Sequence, residues 1–255
     1  MKVVILAGGR GTRLSEETEA RPKPMVEIGG KPMLWHIMKI YSHYGFNEFI
    51  ICLGYKGYMI KEYFANYFMY HYDVTVDLGT PRIDINATNR LPWKITLADT
   101  GEDTLTGGRL RRIRKYLDDE PFMLTYGDGV ADIDVPGLLA HHQDTGALAT
   151  VTTVRPAGRF GGLTFDKTLT VRTFKEKGPV EAWINGGFFV CEPGIFNCID
   201  HDDMMWEHAP LEEITRLGQL NVWPHTGFWQ CMDTLRDKVY LEELWKNVAP
   251  WKIWE

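Results

Sequence analysis

The chain predicts an α/β fold, a doubly wound, mostly parallel (Rossmann-like) sheet flanked by helices, with a smaller β-rich and helical C-terminal portion. Three observations point there. Apolar runs without polar alternation recur at residues 3–7, 49–53 and 122–126, the pattern of strands covered on both faces. Segments with a helical apolar rhythm lie between those runs, so strands and helices alternate through the first 155 residues. A glycine-rich turn closes the first run.

Each element follows in order. Strand 3–7 runs into Gly8, Gly9 and Gly11. Met33, Leu34, Ile37, Met38, Ile40 and Tyr41 fall at helical spacing, opened by Pro32, which suits a first helical turn, and closed by Gly45. A buried strand at 49–53 precedes an amphipathic helix over 57–70. Between 73 and 97, short alternating stretches at 74–77 and 94–97 flank a polar insertion rich in Asn, Thr and Pro, which reads as a strand, a mobile excursion and a strand. Then come a helix at 110–116, a buried strand at 122–126 broken by Gly127-Asp128-Gly129, a helix at 136–143 and a strand at 148–154. Short β segments at 163–165 and 169–174, a strand at 187–191 and helices near 210–217 and 234–244 complete the chain. With no internal repeat and no low-complexity linker, residues 1–255 read as one domain.

Composition removes several function classes. The formal charge of -6, from 34 acidic and 28 basic residues, gives no general attraction to nucleic acid or to an anionic membrane. No apolar run approaches the ~18 residues of a membrane span, and the chain enters its first strand at once, without room for a leader, so the cytoplasm is the expected compartment. Cys52, Cys191, Cys198 and Cys231 form no CxxC pair and read as free structural thiols. The five histidines from His141 to His225 lack zinc spacing, and His141 and His142 point to different helix faces as surface or packing residues.

The residues that carry chemistry begin at Leu6-Ala7-Gly8-Gly9-Arg10-Gly11-Thr12-Arg13, followed by Lys23 between Pro22 and Pro24. Glycines after a buried strand let backbone N–H groups approach a phosphate chain, and Arg13 and Lys23 add positive charge where phosphoryl transfer builds up negative charge. The spacing fits neither a Walker loop nor a dinucleotide GxGxxG turn. Arg10 reads as pointing to solvent. Asp128, between two glycines at the C-terminal end of a buried strand, sits where ligands bind in open α/β sheets and suits Mg²⁺, which takes one or two carboxylates plus substrate phosphates. A turn aspartate is the alternative.

The arrangement from Gly8 to Lys23 resembles the signature of the sugar-1-phosphate nucleotidyltransferases, and the resemblance runs through most of the chain. It implies that Leu6, Ala7, Gly8, Gly9, Gly11, Thr12, Arg13 and Lys23 bind the nucleotide, with Arg13 and Lys23 catalytic on its triphosphate. It implies that Asp128, itself at the nucleotide, shares one Mg²⁺ with Asp233, whose alternative is an N-cap role ahead of the helix after Thr234. Glu176 and Lys177 resemble the pair that holds sugar hydroxyls and sugar phosphate, and Asn185 and Gly186 the segment that contacts the sugar. Thr106, Gly108 and Arg109 fall where the family reads the base edge, with Arg109 as a donor to a pyrimidine carbonyl, which leaves cytosine and uracil both open. On this resemblance residues 1–155 form the nucleotide-binding core and 156–255 the sugar-phosphate-binding and oligomerisation portion.

Residues 23–30 and 227–240 look most like the cytidylyl branch, which implies CTP and glucose 1-phosphate as substrates, CDP-glucose as product and a place in making bacterial surface polysaccharide such as O antigen. The alternatives are the same reaction with UTP, dTTP or another sugar phosphate, and an inert regulatory homologue that binds nucleotide sugars. All of Arg13, Lys23, Asp128 and Asp233 are present, which argues against the inert form. Trp245, Trp251 and Trp254 suggest a subunit contact, with intramolecular docking as the alternative. Family members are homo-oligomers, hexamers or other multiples of two or three.

Overall fold

The structure is a computed structural model that describes residues 1–86, 88, 90–156, 162–165, 171–175 and 182–255. Its centre is a seven-stranded sheet of β1 (Lys2–Leu6), β2 (Glu48–Leu53), β3 (Lys94–Asp99), β4 (Phe122–Tyr126), β5 (Ala149–Val154), β6 (Ile184–Cys191) and β7 (Leu220–His225). The order across the sheet is β7-β5-β6-β4-β1-β2-β3. Strand β6 runs antiparallel to its neighbours β5 and β4, and the other strands run parallel.

Strand β1 lies inside the sheet, between β4 and β2, because its side chains are apolar on both faces. Val3 and Ile5 pack with Leu34, Ile37 and Tyr41 of helix α1 (Met33–His43), while Val4 and Leu6 pack on the opposite face with Leu110 and Ile113 of helix α2 (Thr106–Ile113). From β1 the chain lays β2 and β3 to one side and then crosses to place β4 on the other. The order reverses between β1 and β4, and the loops leaving their C-terminal ends part to open a crevice. That crevice holds the site.

Several elements differ from the sequence expectation. The helix expected over 57–70 is two pieces, Gly57–Ala65 and Tyr67–His71, interrupted at Asn66, whose amide Nδ2 donates back to the Glu62 carbonyl at 3.0 Å. The excursion after residue 73 is an antiparallel ribbon, Asp73–Asp77 against Arg82–Asn86, turned by Asp77 accepting from Gly79 and Thr80. Strand β7 had no clear signature because Pro224 interrupts it; it lies at the sheet edge, where a missing N–H donor is tolerated. Residues 163–165 and 171–174 lie in a second ribbon, Gly162–Phe165 paired with Val171–Lys175, while residues 169 and 170 of the expected segment lie outside the described residues. No helix among the described residues is long and apolar enough to cross a membrane.

The C-terminal tryptophans pack inward, so the subunit-contact expectation gives way to its intramolecular alternative for two of them. Trp251 and Trp254 are 1% and 8% exposed. The Trp251 indole Nε1 donates to Nδ1 of His36, whose Nε2 faces the Ile28 carbonyl at 2.8 Å, so the ring carries its proton on Nε2. Burial pulls His36 down to about 4, which keeps it neutral in this aromatic cluster. Trp245 packs edge-on to the same ring and covers Gly29, where a Cβ would stand 1.9 Å from its Nε1.

Trp251→Ala is expected to lower stability by about 3–5 kcal/mol, read from the urea midpoint. An unchanged midpoint with altered sedimentation would instead put Trp251 at a subunit contact.

Candidate active site

The glycine turn is held from below by main-chain bonds. Ala7 N donates to Cys52 O at 3.1 Å, Tyr55 N to Gly8 O at 3.1 Å, and Gly127 N to Leu6 O at 2.9 Å, so the ends of β1, β2 and β4 are tied together. Gly11 adopts φ +63°, a left-handed conformation that a side chain would strain, and its carbonyl accepts from Leu14 N and Thr18 Oγ1. Above this turn lies a cleft of about 330 Å³ lined by Leu6, Ala7, Gly8, Gly9, Gly11, Arg13, Lys23 and Asp128, among others. Thr12 begins the short helical turn that carries Arg13.

At one end of the cleft the structure brings together four of the expected residues. Lys23 Nζ donates to Asp128 Oδ2 at 2.6 Å and to Asp233 Oδ1 at 2.7 Å, and Arg13 Nη1 donates to Asp233 Oδ2 at 2.8 Å. The spacing of the aspartates is set by backbone. A short ribbon pairs Gly129–Ala131 with Trp229–Cys231, and Met232 N donates to Asp128 O at 2.8 Å. The helix after Asp233, α3 (Leu235–Lys246), is capped by Thr234 and Asp237 in a reciprocal capping box, so Asp233 itself is not the cap and its side chain faces the cleft charges.

Burial alone would raise the Asp233 carboxyl and lower the Lys23 ammonium, but each holds the other ionised. The Lys23 hydrogen bond and charge, joined by Arg13, hold Asp233 below the usual carboxylate range despite burial. Asp128 and Asp233 likewise hold Lys23 above its ordinary value. Two carboxylates converging on one cation are a donor set that suits a divalent ion completed by substrate phosphates; among the described residues there is no cluster of three or more His, Cys, Asp or Glu side chains that would cage a metal alone.

Thr106, Gly108 and Arg109 occupy the first turn of α2, four residues earlier than the helix expected from 110. This turn is built against residues 202–206. Gly107 N and Gly108 N donate to the Met204 carbonyl, and a Cβ on Gly108 would stand 2.1 Å from Asp202 O. Gly107 and Gly108 therefore let the main chain of residues 202–206 approach closely. Thr106 and Arg109 line the same cleft as Gly8, Lys23 and Asp128. Arg109 is 4% exposed, and its Nη1 and Nη2 donate to Leu53 O, Thr100 Oγ1, Gly101 O, Gly8 O and Glu102 O, which fixes the guanidinium at the cleft floor. A Cβ on Gly8 or Gly54 would fall within about 2.5 Å of this guanidinium, so both glycines make room for it. Arg109 is a buried strut under the glycine turn.

Arg10 does not simply face water; it pairs with Glu102 at 3.2 Å and Asp103 at 2.9 Å and lies over the Tyr55 ring. Asn185 uses its amide on Tyr126 OH at 3.3 Å and accepts from Gly187 N at 2.8 Å, while the Gly186 carbonyl accepts from Trp229 Nε1 at 2.7 Å. Glu176 and Lys177 lie outside the described residues. The sequence reading passed over Glu207 and Tyr126. Glu207 lines the cleft and accepts from Thr106 Oγ1 at 2.6 Å. Burial and the Glu207 carboxylate push the Tyr126 phenol well above its ordinary value. Glu207 stands in an irregular polar stretch with no motif to mark it, whereas Tyr126 directly precedes the Gly127-Asp128-Gly129 break.

Two outcomes test these placements. Arg109→Ala, which strands buried carbonyls at about 1–3 kcal/mol each, is expected to lower the thermal midpoint by more than 5 °C; a shift below 1 °C would refute the strut. Because Asp233 is depressed, its contribution is present above a carboxylate's unfolded value of about 4 and lost as pH falls through its lower folded value. The stability gap between wild type and Asp233→Asn should therefore be full at pH 7 and close as the pH falls below the ordinary carboxylate range in urea titrations; a pH-independent gap contradicts it.

Comparison with known proteins agrees with this architecture. The family model described as nucleotidyl transferase matches residues 2–219. The chain is 56% identical to glucose-1-phosphate cytidylyltransferase of Salmonella typhimurium and 46% identical to the probable glucose-1-phosphate cytidylyltransferase of Bacillus subtilis, in each case over 100% of both chains. Among solved structures, HddC of Yersinia pseudotuberculosis superposes with a TM-score of 0.68 at 26% identity, covering 96% of this chain and 99% of that one. The chain belongs to the nucleotidyl transferase family.

Proposed function

We propose that the protein transfers the cytidylyl group of CTP to α-D-glucose 1-phosphate, giving CDP-glucose and pyrophosphate, with Mg²⁺ as its cofactor. The observation that carries the reading is the full-length identity to the Salmonella enzyme, and the convergence of Arg13, Lys23, Asp128 and Asp233 beside the glycine turn gives it a physical basis.

The glycine turn offers main-chain N–H groups to the triphosphate, and Arg13, whose side chain is 76% exposed, is free to swing onto its outer oxygens. Lys23 stands next to the same turn, where charge builds up as the bond to the leaving group lengthens. An oxygen of the sugar phosphate attacks the α-phosphorus in line, the bond from that phosphorus to the bridging oxygen of the β-phosphate breaks, and pyrophosphate departs. Asp128 and Asp233 would hold the Mg²⁺, which when bound would screen the repulsion between the phosphates. No protein nucleophile is required.

On the acceptor side, Asn185 at the start of β6 borders the cleft through Tyr126, Gly186 follows it, and Glu176 and Lys177 are assigned to sugar hydroxyls and sugar phosphate. The assembly is a homo-oligomer. Its subunit contact is not built on Trp251 or Trp254, which are buried within one chain.

Asp128→Asn and Asp233→Asn are each expected to reduce turnover by at least about 10³-fold with a native circular-dichroism spectrum. Near-normal pyrophosphate release from either variant, with CTP, glucose 1-phosphate and Mg²⁺, would remove the metal assignment. Assayed with each of the four nucleoside triphosphates against a panel of sugar 1-phosphates, the wild type should release pyrophosphate fastest with CTP and glucose 1-phosphate.

A further inference from the structure

Lys23 stands where its two carboxylates converge. Its Nζ is within 2.7 Å of one oxygen on each of Asp128 and Asp233. Magnesium takes oxygen ligands at about 2.0–2.1 Å in near-octahedral geometry. An ion drawing on both of these oxygens would enter the space the ammonium fills, and two cations at such a distance repel strongly. The ammonium and a divalent ion therefore exclude one another at this pair. Lys23 is also well seated, with its side chain 10% exposed and its stem against Gly11, where a Cβ would stand 3.2 Å from the Lys23 Cβ.

Arg13 is a contrast built into the same cluster. It carries the same charge and contacts Asp233 at 2.8 Å, but on the other oxygen, Oδ2, and from a side chain that is 76% exposed. It contributes to the field without filling the space between the carboxylates. The four side chains together are neutral, two negative and two positive, so the closed cluster has no net attraction for a free cation.

We propose that Lys23 is the counter-ion that keeps the Asp128–Asp233 pair closed to free divalent cations before nucleotide arrives, and that the triphosphate opens the pair by drawing the ammonium onto its own oxygens. The inference rests on the reading of Asp128 and Asp233 as the metal pair. It makes metal entry conditional on nucleotide, because the cleft residues Gly8, Gly9, Gly11 and Arg13 that border Lys23 are those assigned to the phosphates. Metal and nucleotide then load together, and a divalent ion alone is a poor ligand.

The test uses Mn²⁺ alone as probe, without nucleotide, on the full-length protein, with bound ion counted by electron paramagnetic resonance and folding checked by circular dichroism. Lys23→Met is expected to bind Mn²⁺ at least tenfold more tightly than wild type, and Arg13→Met to stay within about threefold. Lys23→Gln, which keeps a hydrogen-bond donor without the charge, should fall between and serves if the Met variant does not fold. Equal affinity in wild type and both Lys23 variants overturns the proposal, and so does an equal gain in Arg13→Met, which would reduce the effect to a general field. Adding Asp128→Asn to the Lys23→Met background should abolish the gain; a gain that persists would show that the metal assignment itself has failed, and the counter-ion role with it.

Discussion

A single ammonium group shared between two carboxylates is the interaction on which the site depends. Lys23 reaches Asp128 and Asp233 across separations of 105 and 210 residues. Taking three charges partly out of water is costly unless each is paired and hydrogen-bonded, and this cluster meets that condition with contacts of 2.6–2.8 Å once Arg13 is included. The pairing favours the ionised form of Asp233 and the protonated form of Lys23. It also confines three distant parts of the chain to one end of the crevice, so local folding errors at any of them would show in the charge cluster.

The fold supplies that crevice through the reversal of strand order between β1 and β4, and it stiffens the crevice floor with Arg109. This guanidinium joins the glycine turn, the end of β2 and the loop after β3 through five acceptors. A buried arginine bonded to main-chain carbonyls is a rigid spacer, and the missing side chains of Gly8 and Gly54 are the room it occupies. Glycine therefore has two uses in one turn. Gly8 accommodates protein, and Gly9, where an added Cβ would meet nothing within 4 Å, faces open cleft.

Much of this was legible in the chain. The unbroken apolar runs of β1, β2 and β4 marked a sheet covered on both faces, and the glycines, Arg13, Lys23 and Asp128 follow from what a phosphate site needs after such strands. Asp233 was readable only by resemblance, since nothing local tells a carboxylate ahead of a helix from the cap itself; the structure separates the two by giving the cap to Thr234. The nest of carbonyls around Arg109 was not legible, because the residue type that suits a polar ligand also suits such a nest, and its acceptors come from Gly8, Leu53 and residues 100–102 only on folding. Glu207 was invisible because its importance comes from facing Thr106 and Tyr126, residues brought near it by folding. The ribbon at 73–86 was hidden by a polar turn whose hydrogen bonds are local to Asp77.

The capping box after Asp233 reaches further than the end of a helix. Asp237 receives hydrogen bonds from the main-chain N–H of Asp233 and Thr234, from the Thr234 hydroxyl and from Gln230, so the peptide bearing the site carboxylate is clamped to the helix start. That helix is anchored in turn by buried Leu241, and the tail beyond it by Trp251 against His36. None of the residues that line the cleft comes from 238–255, yet this stretch acts as a brace that aims one of the site's acids. A shortened chain that kept every ligand-facing side chain would still lose the direction of that carboxylate.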